Sequence, residues 1–366
     1  MVVAKSQRER FIRTGEGTLA EPKETVHGGD IYRNPSVTDY SVNSNPLGVP
    51  EAVRKSVQES ADRIMYYPDV RCDRLRESIS DFERIEKEKI LCGNGAAELF
   101  FAVVMAVRPK KALVTAPAFS EYERALGTVG AEVQYYRLKE EQDFRIQEDI
   151  LEQITEDTDM IFLCNPNNPT GQTTEKELLI RVMNRCNKCG TILVLDECFI
   201  EFLEEPERYE CRGYLTQYPN VVIIKAFTKI FCMPGVRLGY ALCENAALRK
   251  RMRAMLQPWN VSVTAQEAGV AALVDCEAYL KRTREYIKKE KFWMTERMRK
   301  LGLNVWGSEA NYIFFKGKAG LYEKALKRGL LIRDCSNYEG LTEGHYRIAI
   351  RSEEENERLI TWLEKL

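Results

Sequence analysis

Residues 226–240 read AFTKIFCMPGVRLGY. Just upstream lies the apolar run Val221-Val222-Ile223-Ile224, a strand with no polar alternation and therefore one covered on both faces. Lys229 follows Thr228 at the end of that strand, and Arg237 comes eight positions later in a Pro-Gly turn. An unpaired charge taken out of water is costly. A lysine here either snorkels to the surface or answers to a bound group, and its neighbours along the chain decide between the two.

The same texture repeats outward, between about residues 90 and 240. KALVTA, EVQYYRL, MIFLCN, TILVLDE and VVIIKAF are short apolar runs. They alternate with stretches such as SEYERALGTVG and TEKELLIRVMNRCNKCG, whose apolar residues recur at three- and four-residue spacing. Strand–helix alternation of this kind predicts an α/β fold with a mostly parallel sheet flanked by helices. After residue 265 comes a long charged helix, EAYLKRTREYIKKEKFWMTERMRKLG, then NYIFFKG, GLLIRDC, YRIAIR and a terminal helix. That predicts a smaller α+β domain. The expected organisation is a polar N-terminal extension over 1–24, a segment 25–45 packing on the small domain and the active site, a large α/β domain over 46–265, and a small domain over 266–366.

Composition bounds the function. The chain has 366 residues, 44% hydrophobic and 30% charged, enough for a sizeable core. Its 54 basic and 55 acidic residues give a formal net charge of −1, which argues against a nucleic-acid or membrane partner bound by bulk charge. The run LFFAVVMAV is too short to span a bilayer. Charges break up the N-terminal MVVAKSQRERFIRTGEG, so no signal-peptide core is read there, and a soluble cytoplasmic protein is the expectation. Eleven cysteines, scattered mostly inside apolar runs, read as reduced buried thiols. Cys186 and Cys189 form a C-x-x-C at the end of an amphipathic helix capped by Gly190. No second pair follows at zinc spacing, so no metal is expected.

In parallel α/β sheets ligands bind beyond the carboxyl ends of the strands. In EKILCGNGA the glycine-rich turn Gly93-Asn94-Gly95 opens the helical run AAELFFAVVMAVR. Free N–H groups and the positive helix end there suit a phosphate. After KALVTA comes Phe119, an aromatic able to cover a planar ring, and after MIFLCN comes a turn holding Asn165, Asn167 and Asn168. Asp196-Glu197 ends TILVL, and Thr228-Lys229 ends VVIIKAF. Turns, caps and snorkelling explain each feature singly. Five on successive strand ends facing one cleft point to one ligand, pyridoxal 5′-phosphate (PLP). Its aldehyde takes a lysine, its pyridinium nitrogen a carboxylate, and its phosphate a helix N-terminus plus cations.

The combination NPNNPTG, LDECFIEF and TKIFCMPGVRLGY resembles the fold-type I, class I/II aminotransferase superfamily, and the similarity runs over almost the whole chain from His27 onward. The resemblance implies a homodimeric PLP enzyme in which Lys229 is the Schiff-base lysine and Asp196 pairs with the pyridine nitrogen. Asn168 bonds the ring hydroxyl, Phe119 stacks on the ring, and Gly95, Ala96 and Ala97 form the phosphate turn with Thr228 and Arg237. Tyr67, in YYPDV, takes the place of a tyrosine that reaches the partner's site.

Within the superfamily, HGGDIYR, VNSNPLG, PAFSEYERAL, PWNVS, LLIRDCSNYEGL and YRIAIRS are similar to threonine-phosphate decarboxylases of cobalamin biosynthesis. The other near branch is the histidinol-phosphate aminotransferases, which use 2-oxoglutarate and glutamate. Those carry a tyrosine three residues past the aspartate, where this chain has Phe199. The expected substrate is therefore a small phosphorylated amino acid, L-threonine O-3-phosphate, decarboxylated to (R)-1-amino-2-propanol O-2-phosphate. By family position Arg347 takes the substrate carboxylate and Arg333 the phosphate, with His27, Asn45 and Arg351 as further contacts. Arg351 also reads as a surface ion-pair partner, and His345, in the polar loop TEGHYR, as incidental. Either Lys229 or a water is the proton donor to Cα.

Overall fold

The computed structural model describes residues 28–366; the extension 1–24 and His27 lie outside the described residues. In chain order the strands are β1 (Thr38–Asp39), β2 (Ile90–Gly93), β3 (Lys111–Ala116), β4 (Glu132–Arg137), β5 (Met160–Cys164), β6 (Ile192–Asp196), β7 (Val221–Ala226), β8 (Gly239–Cys243), β9 (Asn304–Val305), β10 (Tyr312–Lys316), β11 (Leu330–Leu331), β12 (Arg333–Asp334) and β13 (His345–Ala349). The apolar runs read as strands fall on β3 to β7.

Seven strands form one sheet in the order β2-β8-β7-β6-β5-β3-β4. All neighbours are parallel except at β8, which runs against both β2 and β7. Alternate residues feed two cores. Ile161, Leu163, Leu193, Leu195 and Ile223 pack on one face against Leu179, Val182 and Ile79. Phe162, Val194, Val222 and Ile224 pack on the other against Phe100, Val103 and Leu248. At about 1.5–3 kcal/mol for each fully buried aliphatic or aromatic side chain, these central strands have no solvent face to lose. The helix Lys176–Cys189 ends at Gly190 in the left-handed conformation (φ 73°), as its sequence predicts.

A second, antiparallel sheet has the order β12-β13-β10-β9. It packs with the helices Glu277–Lys300 and Glu353–Leu363 around Ile313, Phe315, Tyr346 and Ile348. GLLIRDC supplies two short strands rather than one. β11 pairs in parallel with β1, while β12 pairs with β13. His345 is not a loop residue. It opens β13, 4% exposed, with its ring stacked on Trp306 and Phe314. No helix among the described residues is long and apolar enough to cross a membrane.

Chain order reverses between β3 and β5, so the loops after these strands diverge and leave a crevice at their carboxyl ends. The ends of β6 and β7 and the turn entering β8 border the same crevice.

Candidate active site

A cavity of about 410 Å³ occupies that crevice. The parallel register that pairs Asp196 with Ile224 sets Asp196, at the end of β6, beside the strand leading into Lys229. Both line the cavity. Asp196 is buried, and its carboxylate accepts the Tyr122 hydroxyl at 2.5 Å and the Cys198 N–H at 2.9 Å. Burial holds its carboxyl above the usual range despite those two donors. Tyr122 is itself fully buried, stacked on Phe162 and edge-on to Phe119.

Lys229 lies in the single-turn helix Phe227–Ile230. Burial lowers its pKa to about 8, and the nearby Arg347 and Arg237 push the same way. Among the described residues its amine has no carboxylate within ion-pair distance.

Beside this pair, Gly95 precedes the helix Ala96–Val107 at φ +83°. A Cβ at Gly95 would fall 2.6 Å from Nη2 of Arg237, and one at Gly239 would fall 2.7 Å from the Ala96 nitrogen. The close approach requires glycine at both positions. Ala96, Ala97, Thr228 and Arg237 line this end of the cavity, so the helix N-terminus and a guanidinium converge on one spot.

Phe119, Asn168 and Phe199 line the middle. Phe199 packs edge-on to Tyr312 at 5.2 Å and offers no hydroxyl. The Asn168 carbonyl oxygen accepts from Arg347, and its amide nitrogen makes no hydrogen bond among the described residues.

The far side is built by two arginines. Arg333 and Arg347 are direct cross-strand partners on β12 and β13, although like charges in that register repel. Both are nearly buried, at 8% and 6% exposed, and both line the cavity. Arg333 donates to Asn337 at 2.9 Å and lies over the Tyr338 ring. Arg347 donates to the Ser41 carbonyl at 2.6 Å and lies over the Tyr312 ring, and its buried Nε has no partner. Among the described residues, four cations (Lys229, Arg237, Arg333, Arg347) and two acids (Asp196, Glu121) line the space.

Two expected contacts fall elsewhere. The Asn45 amide nitrogen donates to the Ile230 carbonyl and the Thr283 hydroxyl, and its oxygen accepts from the Leu47 N–H. Asn45 braces the chain behind Lys229 and does not line the cavity, because its polar atoms are already used. Arg351 pairs with Glu355 one turn into the terminal helix and likewise does not line it. Tyr67 is 78% exposed, its ring 4.5 Å from that of Trp259 and tilted 30° to it, and it lines no part of this chain's own cavity. Sequence reasoning missed Ser41, Asn43, Glu121, Tyr122 and Tyr338. Only Tyr122 had a legible signal, one helical turn beyond Phe119 in PAFSEYERAL.

The donor set fits PLP. A cavity amine, a buried carboxylate and a glycine-only cradle at a helix N-terminus match its aldehyde, ring nitrogen and phosphate. The unsatisfied Arg347 Nε and the two paired guanidiniums call for a further anionic ligand. Among the described residues, no group of three or more His, Cys, Asp or Glu side chains is placed to hold a metal.

The sequence profile of the family described as aminotransferase class I and II matches residues 35–363. The threonine-phosphate decarboxylase of Salmonella typhimurium is 35% identical over 351 residues, covering 93% of this chain and 96% of its own. The crystal structure of the histidinol-phosphate aminotransferase from Clostridium acetobutylicum superimposes with a TM-score of 0.83 at 31% identity, covering 89% of this chain and 98% of that one. That of L-threonine-O-3-phosphate decarboxylase from Porphyromonas gingivalis gives 0.79 at 26% identity, covering 89% and 98%.

Proposed function

Because the chain belongs to the aminotransferase class I and II family, we propose that it is a PLP-dependent carboxy-lyase. The reaction is decarboxylation of L-threonine O-3-phosphate to (R)-1-amino-2-propanol O-2-phosphate, serving the nucleotide loop of cobalamin. When bound, PLP supplies an electron sink for the pair left on Cα as a bond to it breaks. In this reading Lys229 tethers the cofactor, Asp196 faces its ring nitrogen with Tyr122 fixing the carboxylate, and Asn168 bonds its ring oxygen. Phe119 covers the ring, and Gly95, Ala96, Ala97, Thr228 and Arg237 hold its phosphate.

The observation that carries the decarboxylase reading is the cross-strand pair Arg333 and Arg347. A substrate with a carboxylate at one end and a phosphate at the other matches two forks fixed on adjacent strands. Arg347 takes the carboxylate and Arg333 the phosphate, and two anchors determine which bond to Cα faces the cofactor. Lys229, with a pKa near 8, is suited to hold the proton that Cα receives once CO₂ departs. The cavity lies between a large domain, 46–265, and a small one, 266–366. Exposed Ile64, Met65, Tyr66, Tyr67 and Val70, each more than half exposed, suit a homodimer in which Tyr67 enters the partner's site. The working compartment is the cytoplasm, where the thiols stay reduced.

The second reading, a histidinol-phosphate-type aminotransferase, draws on the somewhat higher TM-score of the superposition with that enzyme class. Phe199 weighs against it, lacking the phenol that those enzymes place at the cofactor ring. Purified enzyme with PLP and L-threonine O-3-phosphate should release CO₂ with no amino acceptor present. A strict need for 2-oxoglutarate, with glutamate formed, would replace this reading with the second.

A further inference from the structure

Glu98 stands third in the helix Ala96–Val107, beside the phosphate end of the cavity, yet it does not line that cavity. An acid so placed would oppose an anion, and the geometry shows where its charge goes instead. One oxygen, Oε2, accepts the Asn94 N–H at 2.6 Å and the Asn260 side-chain N–H at 2.6 Å. The carboxylate thus folds back over the turn that precedes its own helix. The Gly95 N–H is also taken, donating to the Gly93 carbonyl at 2.8 Å. Gly95, at the N-cap, brings no side-chain acceptor. The N–H groups of Asn94 and Gly95 are therefore used within the chain, while those of the first helical turn, which no side chain caps, are left to meet an anion. Asn260 is itself firmly set. It lies between Trp259, whose backbone is left-handed (φ 60°), and Val261, which is 1% exposed. Two residues on, Ser262 caps the helix Val263–Leu273 by accepting the Ala265 N–H at 3.1 Å.

We propose that Glu98, held by Asn260, is a positioning residue for the phosphate turn. It fixes the shape of Gly93-Asn94-Gly95 through the Asn94 N–H and so sets how tightly a phosphate is held at the helix N-terminus. Both bonds fall on one oxygen, so Glu98 supplies shape rather than charge, and a neutral carboxamide oxygen can accept the same two donors. Without the side chain the Asn94 N–H loses its partner. The turn is then no longer preorganised, and a ligand must order it on binding.

The ligand rests on the PLP reading, whereas the clamp on the turn does not, so two readouts separate them. The full-length enzyme, freed of cofactor, is titrated with PLP and with pyridoxal, which lacks the phosphate, by quenching of protein fluorescence. In Glu98→Ala the PLP dissociation constant should rise about tenfold, equivalent to one lost charge-assisted hydrogen bond, while that for pyridoxal stays within about twofold. Glu98→Gln should recover most of the PLP affinity. Asn260→Ala, which keeps Glu98 and removes only its second donor, serves if Glu98→Ala does not fold, with a rise of about threefold. Hydrogen exchange without ligand, read on the peptide spanning residues 92–99, should quicken in Glu98→Ala. Equal weakening of PLP and pyridoxal, or a glutamine variant as weak as the alanine one, would overturn the positioning role. Unchanged exchange would overturn the clamp whatever the ligand. Wild-type protein that binds PLP no better than pyridoxal would overturn the PLP reading and, with it, the role assigned to Glu98.

Discussion

Replacing Arg347 by lysine keeps a positive charge and removes the planar fork. In the structure one guanidinium serves the Asn168 oxygen and the Ser41 carbonyl, lies over Tyr312, and has Nε left over. A lysine ammonium at the end of an unbranched stem cannot bridge both partners and also meet a carboxylate side-on. The loss is one charge-assisted bond of about 1.5–3 kcal/mol, or roughly a tenfold to hundredfold fall in kcat/KM for L-threonine O-3-phosphate. The informative comparison is with the reaction product, which keeps the phosphate and lacks the carboxylate. Its inhibition constant should stay within about threefold of wild type in Arg347→Lys, because only partners of the missing carboxylate have changed. In Arg333→Lys both quantities should worsen together. Continuous CO₂ release with product as competitive inhibitor supplies both numbers, and a melting curve checks that the variants fold. If Arg347→Lys weakened product and substrate equally, the division of labour between the two arginines would be wrong.

Three further outcomes are expected. Gly95→Ala places a methyl 2.6 Å from Arg237 Nη2 at φ +83°, so Arg237 must swing away and the left-handed backbone costs about 1–2 kcal/mol; PLP affinity should fall about tenfold, and unchanged affinity would refute the cradle. Lys229, its pKa lowered to about 8, gains neutral amine as pH rises through that value. PLP capture by the apoenzyme should therefore quicken up to about pH 8 and level off above it, and a flat rate across roughly that range would show that the amine is not shifted. Glu83 is buried with Lys225 at 2.8 Å, Arg212 at 2.6 Å and Tyr240 at 2.5 Å. Burial alone would raise its pKa, but Lys225 and Arg212 outweigh burial and hold it below the usual range. Its stabilisation is thus present above the ordinary glutamate pKa and is lost as pH falls through the folded value. Glu83→Gln should cost about 3–5 kcal/mol in urea unfolding, and a cost under about 1 kcal/mol would show the network to be slack.

The sheet was legible because its central strands are buried on both sides. Near-continuous apolar runs such as MIFLC and ILVLD have no amphipathic alternative, and each matches its strand to within a residue or two. That Lys229, Asp196, Asn168 and Arg237 gather at one cavity was legible for a related reason: polar groups at the ends of such strands are conspicuous. The reversed direction of β8 was not legible, since an apolar run reads the same in either direction. Nor was the register that sets Arg333 opposite Arg347, which depends on Ile332 separating β11 from β12. Asn45 was misassigned because a sequence shows an amide but not which backbone carbonyls already occupy it. Ser41 enters through its main-chain oxygen, which no side-chain pattern reports.

Running the reaction in D₂O and following it by NMR tests the central claim most directly. The claim predicts 1-amino-2-propanol phosphate with a single deuterium on the carbon that carried the carboxylate, formed in step with CO₂ and without added keto acid. A keto acid that retains the carboxylate, appearing with no amine product, would contradict it.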